Sequence, residues 1–278
     1  MPCRLIINAD DFGWSEGVNE AIIRLHQSGI LTSASLMVGA PAAADAVARL
    51  REAPSLAVGL HLALTHAPPV LPRAEVSRLV DARGWLTDDY RRAGVQYTFL
   101  PAHRAQWQVE MAAQFAAFDK LGLRWSHVDS HLHLTLTPGV FGYALALCRK
   151  YPVTGIRVPE DDFSLYQRLE PADATHKRLE ALAFSLLCRG QRRRAKAAGL
   201  RTTDRCYGFL RSGKLDADYL SRLARALPDG DLELHCHPDL STPDGRAELE
   251  ALQSAAFRDA LRERGVILST YESLGPKS

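Results

Sequence analysis

The sequence predicts an α/β protein, an irregular (β/α) barrel of about seven parallel strands. Three observations carry this. Short apolar runs alternate with helical periodicity seven or eight times along 278 residues, the order that βαβ units impose. Acidic and imidazole side chains recur where those runs end, the edge on which such barrels carry their chemistry. No Gly-rich phosphate loop of the G-x-G-x-x-G or Walker type interrupts the pattern, so an open nucleotide-binding sheet is not indicated.

The elements follow in order. Residues 4–9 form the first strand and run into Asn8-Ala9-Asp10-Asp11-Phe12-Gly13, with Ser15 placed to cap a helix over 18–27. A second strand spans 33–38 and an alanine-rich helix 41–51, opened by Pro41. The third strand, 56–64, turns Val58, Leu60, Leu62 and Leu64 to one face and Gly59, His61, Ala63 and Thr65 to the other. His61 is thus the only imidazole among small residues. From about 66 to 104 the pattern breaks at Pro68, Pro69, Pro72 and Pro101, which reads as a functional loop or lid inserted into a single domain spanning 1–278.

A helix over 105–121 leads to the densest stretch, His127-Val128-Asp129-Ser130-His131-Leu132-His133. Read as a strand, it puts His127, Asp129, His131 and His133 on one face. Further elements are a helix at 138–150, a strand at 155–159 carrying Arg157, and helical periodicity from His176 with Leu179, Leu182, Leu186 and Leu187 on one stripe. A strand at 206–209, a helix at 217–226, a strand at 232–237, a long helix at 246–264 and a strand at 266–269 complete the chain. The 232–237 strand shares Glu233, His235 and His237 on one face.

Composition narrows the function. A hydrophobic fraction of 46% with 24% charged residues and a net charge of +2 describes an ordinary globular chain, not a nucleic-acid binder or a disordered one. Five scattered cysteines without a C-x-x-C pair read as reduced thiols in a cytoplasmic protein. No signal peptide or membrane-spanning run is legible.

Several imidazoles and carboxylates are costly to bury unless each finds a partner, and a metal ion supplies one. The adjacent carboxylates Asp10 and Asp11 resist joint ionisation unless a cation stands between them, although a polar turn with one Asp capping the helix would also account for them. Asp10, Asp11, His61, His131 and His237 all fall at or near predicted strand ends. A two-His, one-Asp set suits one divalent ion, zinc by its ligand types and magnesium as the second candidate, with a coordination position open to water. A spare carboxylate and imidazole beside it would serve as general base and acid, which makes amide or ester hydrolysis the natural reaction. A metal-dependent sugar isomerase or phosphoesterase and a non-catalytic sugar-binding barrel are the other readings.

The motifs Asn8-Ala9-Asp10-Asp11-Phe12-Gly13, Gly59-Leu60-His61-Leu62-Ala63-Leu64-Thr65, His127 to His133 and Glu233-Leu234-His235-Cys236-His237-Pro238 resemble those of the YdjC-like carbohydrate deacetylases over nearly the whole chain. The resemblance implies that Asp11, His61 and His131 ligate the metal, that Asp10 is the base and that His237 is the acid. It implies an acetylated amino sugar as substrate, with His127, Asp129, His133, Arg157 and His235 expected to meet it. Leu187-Cys188-Arg189-Gly190-Gln191-Arg192-Arg193-Arg194 and Gly199-Leu200-Arg201-Thr202-Thr203-Asp204 resemble the hopanoid-biosynthesis-associated HpnK branch, which implies a lipid-linked N-acetylglucosamine, with soluble chitooligosaccharides as the alternative substrate. His235 departs from the apolar residue expected in the chitooligosaccharide enzymes. The run Arg189, Arg192, Arg193, Arg194, Lys196 and Arg201 contains no acidic residue, so the leucine stripe beside it is a candidate for peripheral contact with an anionic membrane surface.

Overall fold

The computed structural model describes residues 2–275, with side chains at 138 and 173–183 left out. Leu179 and Leu182 of the predicted stripe therefore lie outside the described residues. Strands β1 (Cys3–Phe12), β2 (Ser33–Leu36), β3 (Ala57–Leu62), β4 (His127–Ser130), β5 (Gly155–Ile156), β6 (Arg205–Tyr207) and β7 (Gly230–Cys236) lie in the order β5-β4-β3-β2-β1-β7-β6, and β8 (Ile267–Leu268) pairs with the start of β1. All pairings are parallel. A parallel bridge between Gly155 and Arg201, and a hydrogen bond from Cys206 N to Glu160 O of 2.9 Å, draw the two ends toward each other. The sheet is curled into an irregular (β/α) barrel.

Between the strands run α1 (Glu16–Gln27), α2 (Ala43–Arg49), α3 (Tyr90–Phe99), α4 (Pro101–Lys120), α5 (Pro138–Cys148), α6 (Phe163–Leu169), α7 (Pro171–Ala197), α8 (Ala217–Ala226), α9 (Pro243–Gln253) and α10 (Ala255–Arg264). Ser15 caps α1 as expected, accepting from Val18 N at 3.1 Å. The predicted 246–264 helix is two helices, because Ser254 is extended and its hydroxyl caps α10 by accepting from Phe257 N. The 66–104 segment is not irregular throughout. Asp89 caps α3 inside it, and buried Tyr97 anchors that helix by donating to Leu64 O at 2.7 Å.

The core is one large cluster of strand and helix side chains between the sheet and its helices. It positions the site by fixing the strands, since Leu60, Leu62, Val128 and Ile156 pack outward against the helices while the opposite faces of the same strands carry polar groups inward. Glycine makes that interior possible. A Cβ on Gly59 would stand 2.5 Å from the His127 ring, and one on Gly155 would stand 2.2 Å from the Tyr271 ring. His127 and Tyr271 stack with centroids 4.7 Å apart in the space so left.

Candidate active site

Adjacent residues of a strand point to opposite faces, yet Asp10 and Asp11 both reach one site. The register of β1 against β2 shifts between Ala9 and Phe12, and Asp11 takes a positive φ of 63°. This irregularity re-aims the second carboxylate, as a bulge does. Leu132 and His133 are also left-handed, at φ 49° and 53°. Strained non-glycine residues cluster where a site demands them.

The strand predicted for 127–133 ends at Ser130, and His131–Leu136 turns tightly, kinked at the left-handed Leu132 and His133. The correction has a local cause: Ser130 Oγ accepts from Thr135 N at 3.0 Å and turns the chain. His131 and His133 therefore reach the site from a turn, not by strand alternation.

Three groups converge at the sheet's C-terminal edge. His61 Nε2 lies 3.3 Å from Asp11 Oδ1, and His131 Nδ1 lies 2.8 Å from the same oxygen. The other nitrogen of His61 is held by Asp129 Oδ1 at 2.8 Å, which fixes the ring. His131 Nε2 is buried without a partner. Two imidazoles and a carboxylate, with a carboxylate orienting one ring from behind and an orphaned nitrogen on the other, fit a divalent ion such as zinc. Burial works against ionisation of Asp11, but the His131 and His61 rings hold its carboxyl well below the usual range. Burial would also lower His61, yet Asp129 and Asp11 raise it well above the ordinary imidazole value. A ring with a carboxylate at each nitrogen calls for a cation.

Behind this triad a buried network sets Asp10. Arg157, 1% exposed, bonds both Asp10 oxygens at 2.7 Å, Asp129 Oδ2 at 2.7 Å and Glu233 Oε1 at 2.8 Å. Asn8 Nδ2 donates to Asp10 Oδ1 at 2.9 Å and to Ser35 Oγ at 2.8 Å, and Ser35 donates to Asp129 Oδ2 at 2.8 Å. Tyr271 closes the far end by donating to Glu233 Oε2 at 2.6 Å. Burial opposes the charge on Asp10, but Arg157 holds its carboxyl well below the usual range. His237 Nε2 lies 3.9 Å from Asp10 Oδ2, and its backbone N–H donates to Glu248 Oε2 at 2.7 Å.

A cavity of about 420 Å³ opens over these groups, lined by Asp10, Asp11, His61, His131, His133 and His237 together with Leu132, Leu136, Phe184 and Phe209. A separate cavity of about 340 Å³, lined by Lys196, Arg201 and Thr202, contains none of these residues.

Of the five residues expected to meet substrate, His133 alone lines the open cavity. Burial pushes its imidazole down to about 3, so it faces the cavity as a neutral ring. His127, Asp129, Arg157 and His235 are at most 1% exposed and none of them lines that cavity. His127 Nε2 meets Ser35 Oγ at 3.1 Å, and burial lowers its ring to about 4. Arg157 spends its guanidinium on three carboxylates, and His235 Nδ1 lies 3.6 Å from Cys206 Sγ.

Residues 4–263 match the YdjC-like protein family. The chain belongs to the YdjC-like family. Across 97% of its length it is 32% identical to the chitooligosaccharide deacetylase of Serratia marcescens, covering 98% of that protein. It is 38% identical to the carbohydrate deacetylase of Brevibacillus brevis over 56% of its own length, and this match spans 59% of that relative. A solved Enterococcus faecalis structure, bearing the name of a cellobiose-phosphate cleavage protein, superposes with a TM-score of 0.74 at 28% identity, over 98% of this chain and 99% of that one.

In this YdjC-like chain the sequence reading overlooked Asn8, Ser35, Tyr271 and Glu248. Asn8 opens the Asn8–Gly13 motif, and its even spacing from Asp10 along β1 is the signal that marks it. Nothing local marks Ser35, Tyr271 or Glu248, which the barrel brings in from distant segments.

Proposed function

We propose that this protein is a metal-dependent N-deacetylase of an N-acetylglucosamine-type sugar. The observation that carries the reading is the convergence of Asp11, His61 and His131, each offering a ligand atom within 4.8 Å of the others, with Asp10 and His237 beside them in one open cavity. A divalent ion held by Asp11, His61 and His131 would polarise the amide carbonyl and acidify a water. Asp10, kept ionised by Arg157, accepts the proton of the attacking water. His237, 32% exposed at its side chain, delivers a proton to the departing amine. Zinc suits the two nitrogen ligands better than magnesium does.

The apolar lining residues Leu132, Leu136, Phe184 and Phe209 support an aglycone that is itself apolar, in keeping with a lipid-linked sugar. Leu186 and Leu187 on α7 are 64% and 41% exposed, with Arg189 and Arg193 exposed on the same helix. These four residues make the surface proposed to meet an anionic membrane. Of the basic run counted from sequence, Arg192 is half-buried and ion-paired, and Arg194 is exposed but rests on a ring of the fold. Arg192 bonds Glu160 and Thr203 O, and Arg194 lies over the Phe141 ring at 5.6 Å. Among the described residues no helix is long and apolar enough to cross a membrane.

The deciding experiment is acetate release from N-acetylglucosaminyl substrates with soluble and lipid aglycones. No acetate from either class, in metal-replete protein, would sink the deacetylase reading. Equal kcat/KM for both would sink the lipid aglycone alone.

A further inference from the structure

A second group of potential ligands stands beside the first. One ligand atom each from Asp10, His235 and His237 lies within 4.8 Å of the other two. His235 is 1% exposed and its Nε2 is buried with no partner. Its Nδ1 edge is accounted for: Cys206 Sγ lies 3.6 Å away, and Gly208 packs so closely that a Cβ there would meet Cε1 and Nδ1 at 3.2 Å. The lone unsatisfied nitrogen of this buried ring thus belongs to a carboxylate and imidazole cluster, an arrangement that calls for a ligand.

A further carboxylate and imidazole group, Asp10, His61 and Asp129, is closed to an ion. Arg157 Nη1 stands 2.7 Å from both Asp10 Oδ2 and Asp129 Oδ2 and acts as its cation. Among the described residues no cation bridges His235 to the other members of its cluster, although Arg157 also holds Asp10. The electrostatics also permit a second ion. Arg157 meets the carboxylates of Asp10, Asp129 and Glu233 and Asp11 adds a fourth, so one guanidinium and a single dication at Asp11, His61 and His131 leave the cluster without net positive charge.

We propose that Asp10, His235 and His237 form a second, weaker zinc site whose filling withdraws Asp10 and His237 from proton transfer, so that excess zinc inhibits the enzyme. The inhibitory consequence rests on the acid and base roles proposed above; the binding site does not. Two features make the site the weaker one. Both Asp10 oxygens already accept from Arg157. Ligands of one zinc ion also stand at most about 4.2 Å apart, twice a bond of about 2.1 Å, so the partly exposed His237 has to move inward. Two imidazoles among three ligands favour zinc over magnesium.

The test is equilibrium dialysis of chelator-stripped protein against graded free zinc, with the bound metal measured by elemental analysis. Wild type is expected to take up two equivalents, the second at free zinc at least about tenfold higher. His235→Leu and His237→Ala are each expected to lose the second equivalent and keep the first, while Asp11→Ala loses the first and keeps the second. Far-ultraviolet circular dichroism checks that each variant is folded. Saturation of wild type at one equivalent would overturn the site, as would retention of the second equivalent in both folded histidine variants. Acetate release undiminished when the second equivalent is bound would overturn the inhibition. No acetate at one equivalent would instead count against the deacetylase reading and leave the binding result standing.

Discussion

Arg157 grips Asp10 with two parallel hydrogen bonds of 2.7 Å, and the pair is almost wholly buried, at 1% and 3% side-chain exposure. The same guanidinium also meets Asp129 and Glu233. Asp129 in turn orients His61, so one cation ties the candidate base to a candidate metal ligand.

Removing it should be costly. Arg157→Met is expected to destabilise the fold by about 3–5 kcal/mol, the usual effect of leaving buried charges uncompensated. Arg157→Lys keeps the charge but loses the fork, and should fold while turning over at least about tenfold more slowly. Urea unfolding and kcat measured on both variants check this.

Asp11→Ala, His61→Ala and His131→Ala should each greatly weaken metal binding at the first site, and activity should fall with metal content. His61 has a further dependence. Asp129→Ala removes the carboxylate behind its ring and is expected to lower metal affinity about 10–100-fold without touching a ligand. Competition with a chromogenic chelator measures both effects.

Asp10→Asn should retain the fold and the first metal equivalent while kcat drops by about 10²–10⁴. Its amide oxygen can still accept one of the two Arg157 hydrogen bonds, while its NH2 gives up the other. Near-normal turnover in a fully metallated variant would remove Asp10 from the mechanism.

Asp161 offers a handle on stability that involves none of the proposed metal ligands. Burial raises its carboxyl to about 6, against the opposing pull of the Leu210 and Asp162 backbone N–H groups. The folded state therefore holds this proton after the unfolded chain has released it. That contribution is fully present below about pH 4 and is lost as pH rises through about 6. A tenfold difference in proton affinity between the folded and unfolded chain is worth about 1.4 kcal/mol, and the partial exposure of Asp161 brings the change to about 1–3 kcal/mol. Urea midpoints measured from about pH 4 to 8 should show Asp161→Asn gaining on wild type as pH rises.

For the proposed membrane surface, Leu186→Ser with Arg189→Gln and Arg193→Gln should abolish sedimentation with anionic liposomes at low salt. Acetate release from a soluble substrate should be unchanged. The triple variant Arg192→Gln, Arg193→Gln, Arg194→Gln is a poorer test, since Arg192 and Arg194 hold Glu160 and Phe141 in the folded protein.

The alternation of strands and helices, and the motifs that mark the site, are legible in the chain alone. Apolar periodicity is local, and Asp10, Asp11, His61, His131 and His237 lie in or beside strand patterns short enough to read. What each polar group does is set by the folded barrel. Alternation along 127–133 predicted four side chains on one wall, but the strand stops at Ser130, and positive φ at Leu132 and His133 places the rest. Alternation also separates Asp10 from Asp11, and the register shift in β1 reunites them. Arg157 is expected from sequence to meet substrate, and in sequence a lone arginine at a strand end has no visible partner. Its partners are 147 residues away at Asp10 and 76 away at Glu233, and a charge is assigned its role by whatever the fold buries it against.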